Sequence, residues 1–265
     1  MANAQEGAWI FLSHSNQDFD RVRELRNDLE DRGHRPLMFF LKSLEQDAEI
    51  FGLIEREIKA RSWFVLCDSE NARKSEWVQR EREIIKGLPR DSHTYREVDL
   101  DDPHADVLDE VQQLVRNASV FLSYSQHDKE LAQSIRDVLL EQDFAVFWAE
   151  DDLSAGEEWA DRFSEELEKA VTQGAVLVLL SHESIQSVFV VAEVRRALTL
   201  AERMPPGRSH VIPIFTSDPS TLLEMLPRDV QEALERIHGV PLLDPADVEP
   251  IRDLAKEIRT FDWVN

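Results

Sequence analysis

Apolar positions along the chain alternate between short continuous runs and longer stretches with helical spacing. Val22, Leu25 and Leu29 define one face of a helix, and Gly33 is its expected end. Runs with the length of buried strands lie at residues 36–41, 63–67, 144–148, 175–180 and 211–215. Further helical patterns lie at residues 50–60, 107–115, 157–171 and 250–261. This alternation predicts an α/β fold with parallel sheets flanked by helices.

The whole pattern occurs twice. Ile-Phe-Leu-Ser-His-Ser-Asn-Gln-Asp at residues 10–18 returns as Val-Phe-Leu-Ser-Tyr-Ser-Gln-His-Asp at residues 120–128, and the strand and helix patterns follow in the same order. We therefore predict two tandem flavodoxin-like domains, at residues 8–116 and 118–262. The second copy continues through a fourth strand and a last helix, so the first copy is expected to be one element shorter.

Composition excludes several classes of function. The chain has 30 Lys and Arg against 53 Asp and Glu, and a net charge of −23. Such an acidic surface repels phosphate backbones and anionic lipids, so no nucleic-acid or membrane partner is expected. The single cysteine, Cys67, excludes an internal disulfide framework, and the eight histidines lack ligand spacing, so no metal is expected. Residues 1–7 show no secretory signal, which favours a cytoplasmic location.

Two further motifs follow the repeated strand. Residues 75–81, Ser-Glu-Trp-Val-Gln-Arg-Glu, have the form Ser-x-Trp-x-x-x-Glu, and residues 147–159 include Asp151, Gly156 and Trp159 in a loop-like segment. Together with the repeated Phe-Leu-Ser-x-Ser-x-x-Asp, they resemble the TIR (Toll/interleukin-1 receptor) domain family over nearly the whole chain. The resemblance implies tandem TIR domains that either assemble as adaptors or cleave NAD+ at the nicotinamide–ribose bond. In bacterial Thoeris-type antiphage defence, such cleavage makes ADP-ribose or a cyclised variant that signals to an effector.

The resemblance also assigns roles to residues. It implies that Glu81 is catalytic, with Ser75 and Trp77 in the substrate site, and that residues 151–159 form the BB loop through which TIR domains or copies of this chain assemble. Residues 42–50 of the first copy hold neither Gly nor Pro, whereas the second copy has Phe189 in place of the motif tryptophan. We therefore expect the first domain to be the catalyst and the second to regulate or assemble.

Helical geometry singles out Glu81 independently. At 100° per residue it falls in the middle of the apolar arc of its helix, and its neighbours at i±3 and i±4 are Trp77, Val78, Ile84 and Ile85, none of which can pair with a carboxylate. Glu81 is therefore either a carboxylate at the rim of the core or a functional group. Glu193, the second and weaker catalytic candidate, has Arg196 at i+3, so an ordinary surface ion pair explains it.

Three polar residues follow the first strand. Ser13, Ser15 and Asp18 lie at the carboxyl edge where α/β sheets bind ligands, but turn and N-cap chemistry also favours these residue types. Trp77 is either a flat face for a nicotinamide or adenine ring or a core tryptophan. The chain has no Gly-x-Gly-x-x-Gly, so the NAD+ that the resemblance implies would not be held in the dehydrogenase manner. It is expected as a substrate, and no cofactor is expected.

Two other functions compete with NAD+ cleavage. Tandem TIR domains could form a non-catalytic scaffold for other TIR proteins, or a module that senses a nucleotide without cleaving it. The missing element of the first copy and Phe189 favour these alternatives. A phospho-acceptor receiver domain shares the topology, but it would carry acidic residues where Ser13 and His14 lie.

Overall fold

The computed structural model describes residues 7–39, 48–89, 93–148, 167, 171, 174–203 and 211–260. The chain divides between Ala118 and Ser119 into two compact units, called here the first and the second domain. A helix that ends at Ala118 is followed directly by a strand that begins at Ser119. This helix continues three residues beyond the predicted pattern at residues 107–115, so the described chain has no linker between the last helix of one domain and the first strand of the next.

The described residues of the first domain form a four-stranded parallel sheet with helices between the strands. The strand order is β2-β1-β3-β4, so the chain crosses from β2 over β1 to β3. The elements are β1 Trp9–Ser13, α1 Phe19–Asp31, β2 Arg35–Leu37, α2 Ala48–Lys59, β3 Trp63–Asp68, α3 Glu70–Lys74, α4 Glu76–Lys86, β4 Thr94–Asp99 and α5 Val107–Ala118.

The second domain repeats this order and adds one strand. Its described sheet is parallel, with the order β6-β5-β7-β8-β9. Among the described residues the second sheet has five strands against four in the first, and two short helices lie between its last two strands. The elements are β5 Ser119–Ser123, α6 Lys129–Glu141, β6 Ala145–Trp148, β7 Ala175–Leu180, α7 Val188–Ala201, β8 Val211–Phe215, α8 Pro219–Glu224, α9 Arg228–Leu234, β9 Val240–Pro241 and α10 Glu249–Arg259.

Burial follows the predicted pattern where both faces of a strand are covered. The strand predicted at residues 175–180 has these bounds in the structure, and all six residues are buried. The strand predicted at residues 36–41 is shorter, because pairing with β1 ends at Leu37. Of the helix predicted at residues 157–171, Leu167 and Val171 are described, and both are helical and buried.

The end of the first helix explains Gly33. The three residues predicted for its buried face, Val22, Leu25 and Leu29, are all buried. Gly33 then adopts a positive φ of 84°, a conformation that glycine reaches without a steric penalty. In the second domain Asp143 occupies the equivalent position with a φ of 64°. Aspartate tolerates this conformation better than most residues, so both helices end by the same backbone device.

The described residues include neither a candidate membrane-spanning helix nor a candidate metal-binding cluster. None of the described helices is both long enough and apolar enough to cross a membrane. The described His, Cys, Asp and Glu side chains form no group of three that could hold a metal ion.

Candidate functional site

A buried serine and a carboxylate meet at the carboxyl edge of the first sheet. Ser13 is the last residue of β1, and Glu81 lies in the second turn of α4, which packs near β1. The Ser13 hydroxyl donates a hydrogen bond of 2.6 Å to Oε2 of Glu81. The partner that α4 itself cannot offer to Glu81 therefore comes from the first strand.

Helix α4 is positioned so that Glu81 faces the protein. The helix begins at Ser75, whose hydroxyl accepts a hydrogen bond from the backbone N–H of Val78 as an N-cap. Val78 and Ile85 are buried on the face that packs against the core. Glu81 lies between them at helical spacing, so the packing of its neighbours holds its half-buried carboxylate against Ser13.

Burial changes the acid–base behaviour of Glu81. Loss of solvation raises the pKa of its carboxyl from the ordinary 4.5 to about 7, although the hydrogen bond from Ser13 acts in the opposite direction. Near neutral pH the group is therefore present in both protonated and ionised forms. A carboxyl group tuned in this way is typical of sites that use it chemically.

Glu81 opens into a cleft of about 380 Å³. Both α4 and the loop after β1 contribute to its walls, which combine polar side chains with two aromatic rings. The cleft brings Glu81 together with three other predicted site residues, Ser15, Ser75 and Trp77. It is lined by His14, Ser15, Asn16, Gln17, Phe39, Asn71, Lys74, Ser75, Trp77, Val78 and Glu81.

The indole of Trp77 lies between the core of the first domain and the cleft. It packs against the first-domain core, and it also lines the cleft one turn before Glu81. Its ring stacks on Phe51 of α2, with ring centroids 3.7 Å apart and planes 8° apart. The guanidinium of Arg80 lies 4.4 Å from the centroid of the Phe51 ring. Sequence reasoning missed Phe51, whose only signal was its place in an apolar helical pattern.

Asp18 supports the cleft instead of lining it. Its buried carboxylate accepts a hydrogen bond of 2.5 Å from the Ser69 hydroxyl and one of 2.8 Å from the Asn71 amide. These bonds connect the segment after β1 to the segment after β3. Ser15, by contrast, lines the cleft and accepts a hydrogen bond of 3.3 Å from the backbone N–H of Gln17. Ser15 therefore stabilises the turn after β1, and Asp18 connects the segments that follow β1 and β3.

The second domain repeats the serine–carboxylate contact. Ser123 is the last residue of β5, and its hydroxyl donates a hydrogen bond of 2.9 Å to Oε2 of Glu193 in α7. The ion pair with Arg196 that the sequence suggested does not account for this contact, in which the half-buried carboxylate of Glu193 faces the strand end. Ser181 donates to Asp128 at 2.6 Å, which repeats the contact of Ser69 with Asp18.

The aromatic surroundings differ between the domains. Phe189, at the motif position of Trp77, is 74% exposed. Tyr124, which follows Ser123, stacks on Trp148 with ring centroids 5.4 Å apart. The aromatic residue at the motif position of the helix that carries the glutamate is thus stacked and packed in the first domain, whereas it is exposed to solvent in the second. The predicted loop residues Asp151, Gly156 and Trp159 lie outside the described residues.

Two solved structures are similar to about half of this chain. The chain shares 22% identity with the TIR domains of the activated Roq1 resistosome, which directly recognises the pathogen effector XopQ, over 55% of this chain and 85% of that one, with a TM-score of 0.33. A diflavin flavoprotein A3 from Nostoc sp. is 15% identical over 54% of this chain and 87% of that one, with a TM-score of 0.30. Among curated proteins, no relative matches.

The family model of the TIR domain matches the chain twice. The matched segments are residues 10–115 and 120–255, one in each compact unit. Each segment includes the strand that ends in the buried serine and the helix that carries the glutamate. The chain therefore belongs to the TIR domain family and holds two TIR domains in tandem.

Proposed function

We propose that the first domain cleaves NAD+ at the bond between nicotinamide and ribose. The observation that carries the proposal is the half-buried Glu81 carboxyl, which lines a cleft and is held by the Ser13 hydroxyl. A carboxyl group kept in poorly solvated surroundings costs folding free energy. Such a cost is typical of functional sites, and some TIR domains are NAD-cleaving enzymes.

The reaction requires one stabilising carboxylate. The bond between the ribose carbon C1′ and the pyridinium nitrogen breaks, its electron pair moves to that nitrogen, and nicotinamide leaves as a neutral molecule. Positive charge then develops on the ribose, as in glycoside hydrolysis, and the ionised Glu81 stabilises it. Water, or a nucleophile of the substrate itself, forms the new bond to C1′ and loses a proton. The products are ADP-ribose or a cyclic form of it.

Substrate binding would favour the active form of Glu81. The nicotinamide ring of NAD+ carries a positive charge, and an opposite charge nearby lowers the pKa of a carboxyl group. Trp77 lines the same cleft and offers an aromatic face to the cationic ring. NAD+ is thus a substrate of this site, held without the phosphate-binding loop of dehydrogenases.

We assign assembly and regulation to the second domain. The sequence resemblance of residues 147–159 to a BB loop supports this assignment, and so does the solvent exposure of Phe189 where the first domain has a stacked tryptophan. TIR domains of other molecules or of a second copy would dock there, in an oligomer or filament. The product would then serve as a cytoplasmic signal to an effector, in the manner of Thoeris antiphage defence.

The assembly assignment has its own test. Gly156→Pro and Trp159→Ala should abolish high-molecular-weight species in light scattering and lower NAD+ cleavage at high protein concentration. Glu183→Ala, a change at an exposed position of the same domain, is the matched control. Unchanged assembly and activity in both loop variants would contradict the assignment.

A scaffold without catalysis is the competing function. The first domain has the shorter sheet, and the second has lost the motif tryptophan, which fits a pair of domains retained for docking. Release of nicotinamide by the concentrated wild-type chain decides between the two. Glu81→Gln should abolish release, whereas Glu83→Gln, an exposed carboxylate on the same helix, should leave it unchanged. Equal release by the two variants would refute catalysis by Glu81.

A further inference from the structure

His14 occupies a position in the cleft that the reaction described above does not use. It follows Ser13 directly, the residue is 9% exposed, and it lines the same cleft as Glu81. Nδ1 of the ring lies 3.0 Å from the backbone carbonyl oxygen of Leu12. A carbonyl oxygen can only accept a hydrogen bond, so Nδ1 carries the ring proton.

The other ring nitrogen is therefore an acceptor. With the proton on Nδ1, Nε2 of the neutral ring has a free lone pair. Burial lowers the pKa of His14 below its ordinary 6.5, which keeps the ring neutral at pH 7. Nε2 is buried and has no hydrogen-bond partner among the described residues. Because buried acceptors are nearly always satisfied, this nitrogen indicates a donor that comes from a ligand in the cleft.

We propose that Nε2 of His14 accepts a hydrogen bond from the nicotinamide riboside half of NAD+ and thereby selects that half for the cleft. The inference rests on the proposed function, which brings the C1′ atom of that riboside to Glu81. The riboside offers two kinds of donor, the carboxamide N–H and the ribose hydroxyls. If the donor is the carboxamide N–H, the lone pair of Nε2 repels a carboxylate in that place, so a substrate with this replacement should be disfavoured.

The second domain has a different residue at the position of His14. Tyr124 stands where the first domain has His14, and its ring stacks on Trp148. The two domains thus share the serine–carboxylate contact but differ in the residue that follows the serine. His14 is accordingly a specificity residue of the first domain alone.

Kinetics with two replacements test the hydrogen bond. His14→Phe fills the space without an acceptor, whereas His14→Gln places an amide oxygen near the position of Nε2. We expect His14→Phe to raise KM for NAD+ about tenfold with a smaller change in kcat, as the loss of one hydrogen bond would, and His14→Gln to restore most of the affinity. Equal KM values for the two variants, whether raised or unchanged, would overturn the inference.

Deamido-NAD+, in which a carboxylate replaces the carboxamide, identifies the donor. If the donor is the carboxamide N–H, the preference of the wild type for NAD+ over deamido-NAD+ shrinks in His14→Phe. If the donor is a ribose hydroxyl, both substrates lose the same factor. Either result supports a riboside donor, provided that His14→Gln restores binding.

A second readout separates this inference from the proposed function. The ¹⁵N NMR resonance of His14 Nε2 is assigned by its absence from the spectrum of the His14→Gln variant. In the Glu81→Gln protein, addition of NAD+ should shift this resonance. A shift without NAD+ cleavage by the wild type would support the contact between His14 and NAD+ and refute the proposed catalysis. NAD+ cleavage by the wild type without a shift would support the proposed catalysis and refute the role of His14.

Discussion

Ser13 and Glu81 lie 68 positions apart in the chain, and a hydrogen bond of 2.6 Å joins them at the edge of the first sheet. The second domain repeats this bond between Ser123 and Glu193 at 2.9 Å. In each domain the serine ends the first strand and the glutamate lies on a helix that begins with an N-cap serine. The conserved element of the internal repeat is thus a bond between strand and helix, while the aromatic rings around it differ.

The first prediction concerns the acidity of Glu81. The Ser13 hydrogen bond favours the ionised carboxyl, so Ser13→Ala should raise the pKa of Glu81 further above 7. Activity needs the carboxylate, so kcat/KM for NAD+ should rise with pH through about 7 in the wild type and at higher pH in the variant. Ser123→Ala is the matched control and should keep the wild-type midpoint. Superimposable profiles for Ser13→Ala and the wild type would contradict this role for Ser13.

The second prediction concerns stability. The pKa of Glu81 is raised from 4.5 to about 7 in the folded chain, so the stability it contributes is complete below pH 4.5 and is lost as the pH rises through 7. Glu81→Gln removes this titration and keeps an oxygen that accepts from Ser13. At pH 8 the variant should unfold at a temperature a few degrees higher than the wild type, and at pH 4.5 the gap should close. Glu83→Gln, at an exposed position, should show no such dependence.

The third prediction compares the two motif aromatics. Trp77→Ala removes a ring that stacks on Phe51 and packs on the core, so it should lower the free energy of unfolding by about 2–4 kcal/mol and weaken NAD+ binding. Phe189→Ala changes a ring that is 74% exposed and should stay within about 0.5 kcal/mol of the wild type. Urea unfolding measures both variants. Similar decreases in the free energy of unfolding of the two variants would mean that the different packing of Trp77 and Phe189 does not affect stability.

The fourth prediction treats Asp18 as a structural residue. Asp18→Ala leaves the Ser69 hydroxyl and the Asn71 amide without their acceptor, which should cost about 1–3 kcal/mol of unfolding free energy. The midpoint of the pH–activity profile should stay where it is. Asp20→Ala, an exposed neighbour, serves as the control. A large rise in KM without loss of stability would instead make Asp18 a binding residue.

Local patterns were sufficient for most of the fold. The strand at residues 175–180 and the buried face of α1 were predictable because periodicity reports burial directly. Strand β2 was harder to delimit, because its end depends on pairing with β1 and not on its own apolar run. The internal repeat predicts a shorter first copy, and the sheet among the described residues of the first domain has one strand fewer than that of the second.

The candidate site was predictable only in part. Motifs identified Glu81, Trp77 and Ser13, but not the bond of Ser13 to Glu81 or the stack of Trp77 on Phe51. Both contacts join residues from separate elements, so no periodicity within one element reveals them. His14 was overlooked because a histidine after a strand has no special pattern, and its buried acceptor emerges only from the fold.

We propose that NAD+ cleavage in the first domain depends on the carboxylate of Glu81. Mass spectrometry of NAD+ incubated with concentrated wild type, Glu81→Gln and Glu193→Gln tests it most directly, because the two glutamates occupy equivalent positions. We predict that nicotinamide and ADP-ribose, or its cyclic form, appear with the wild type and with Glu193→Gln and are absent with Glu81→Gln. Loss of turnover in Glu193→Gln alone, or turnover that persists in Glu81→Gln, would contradict the account.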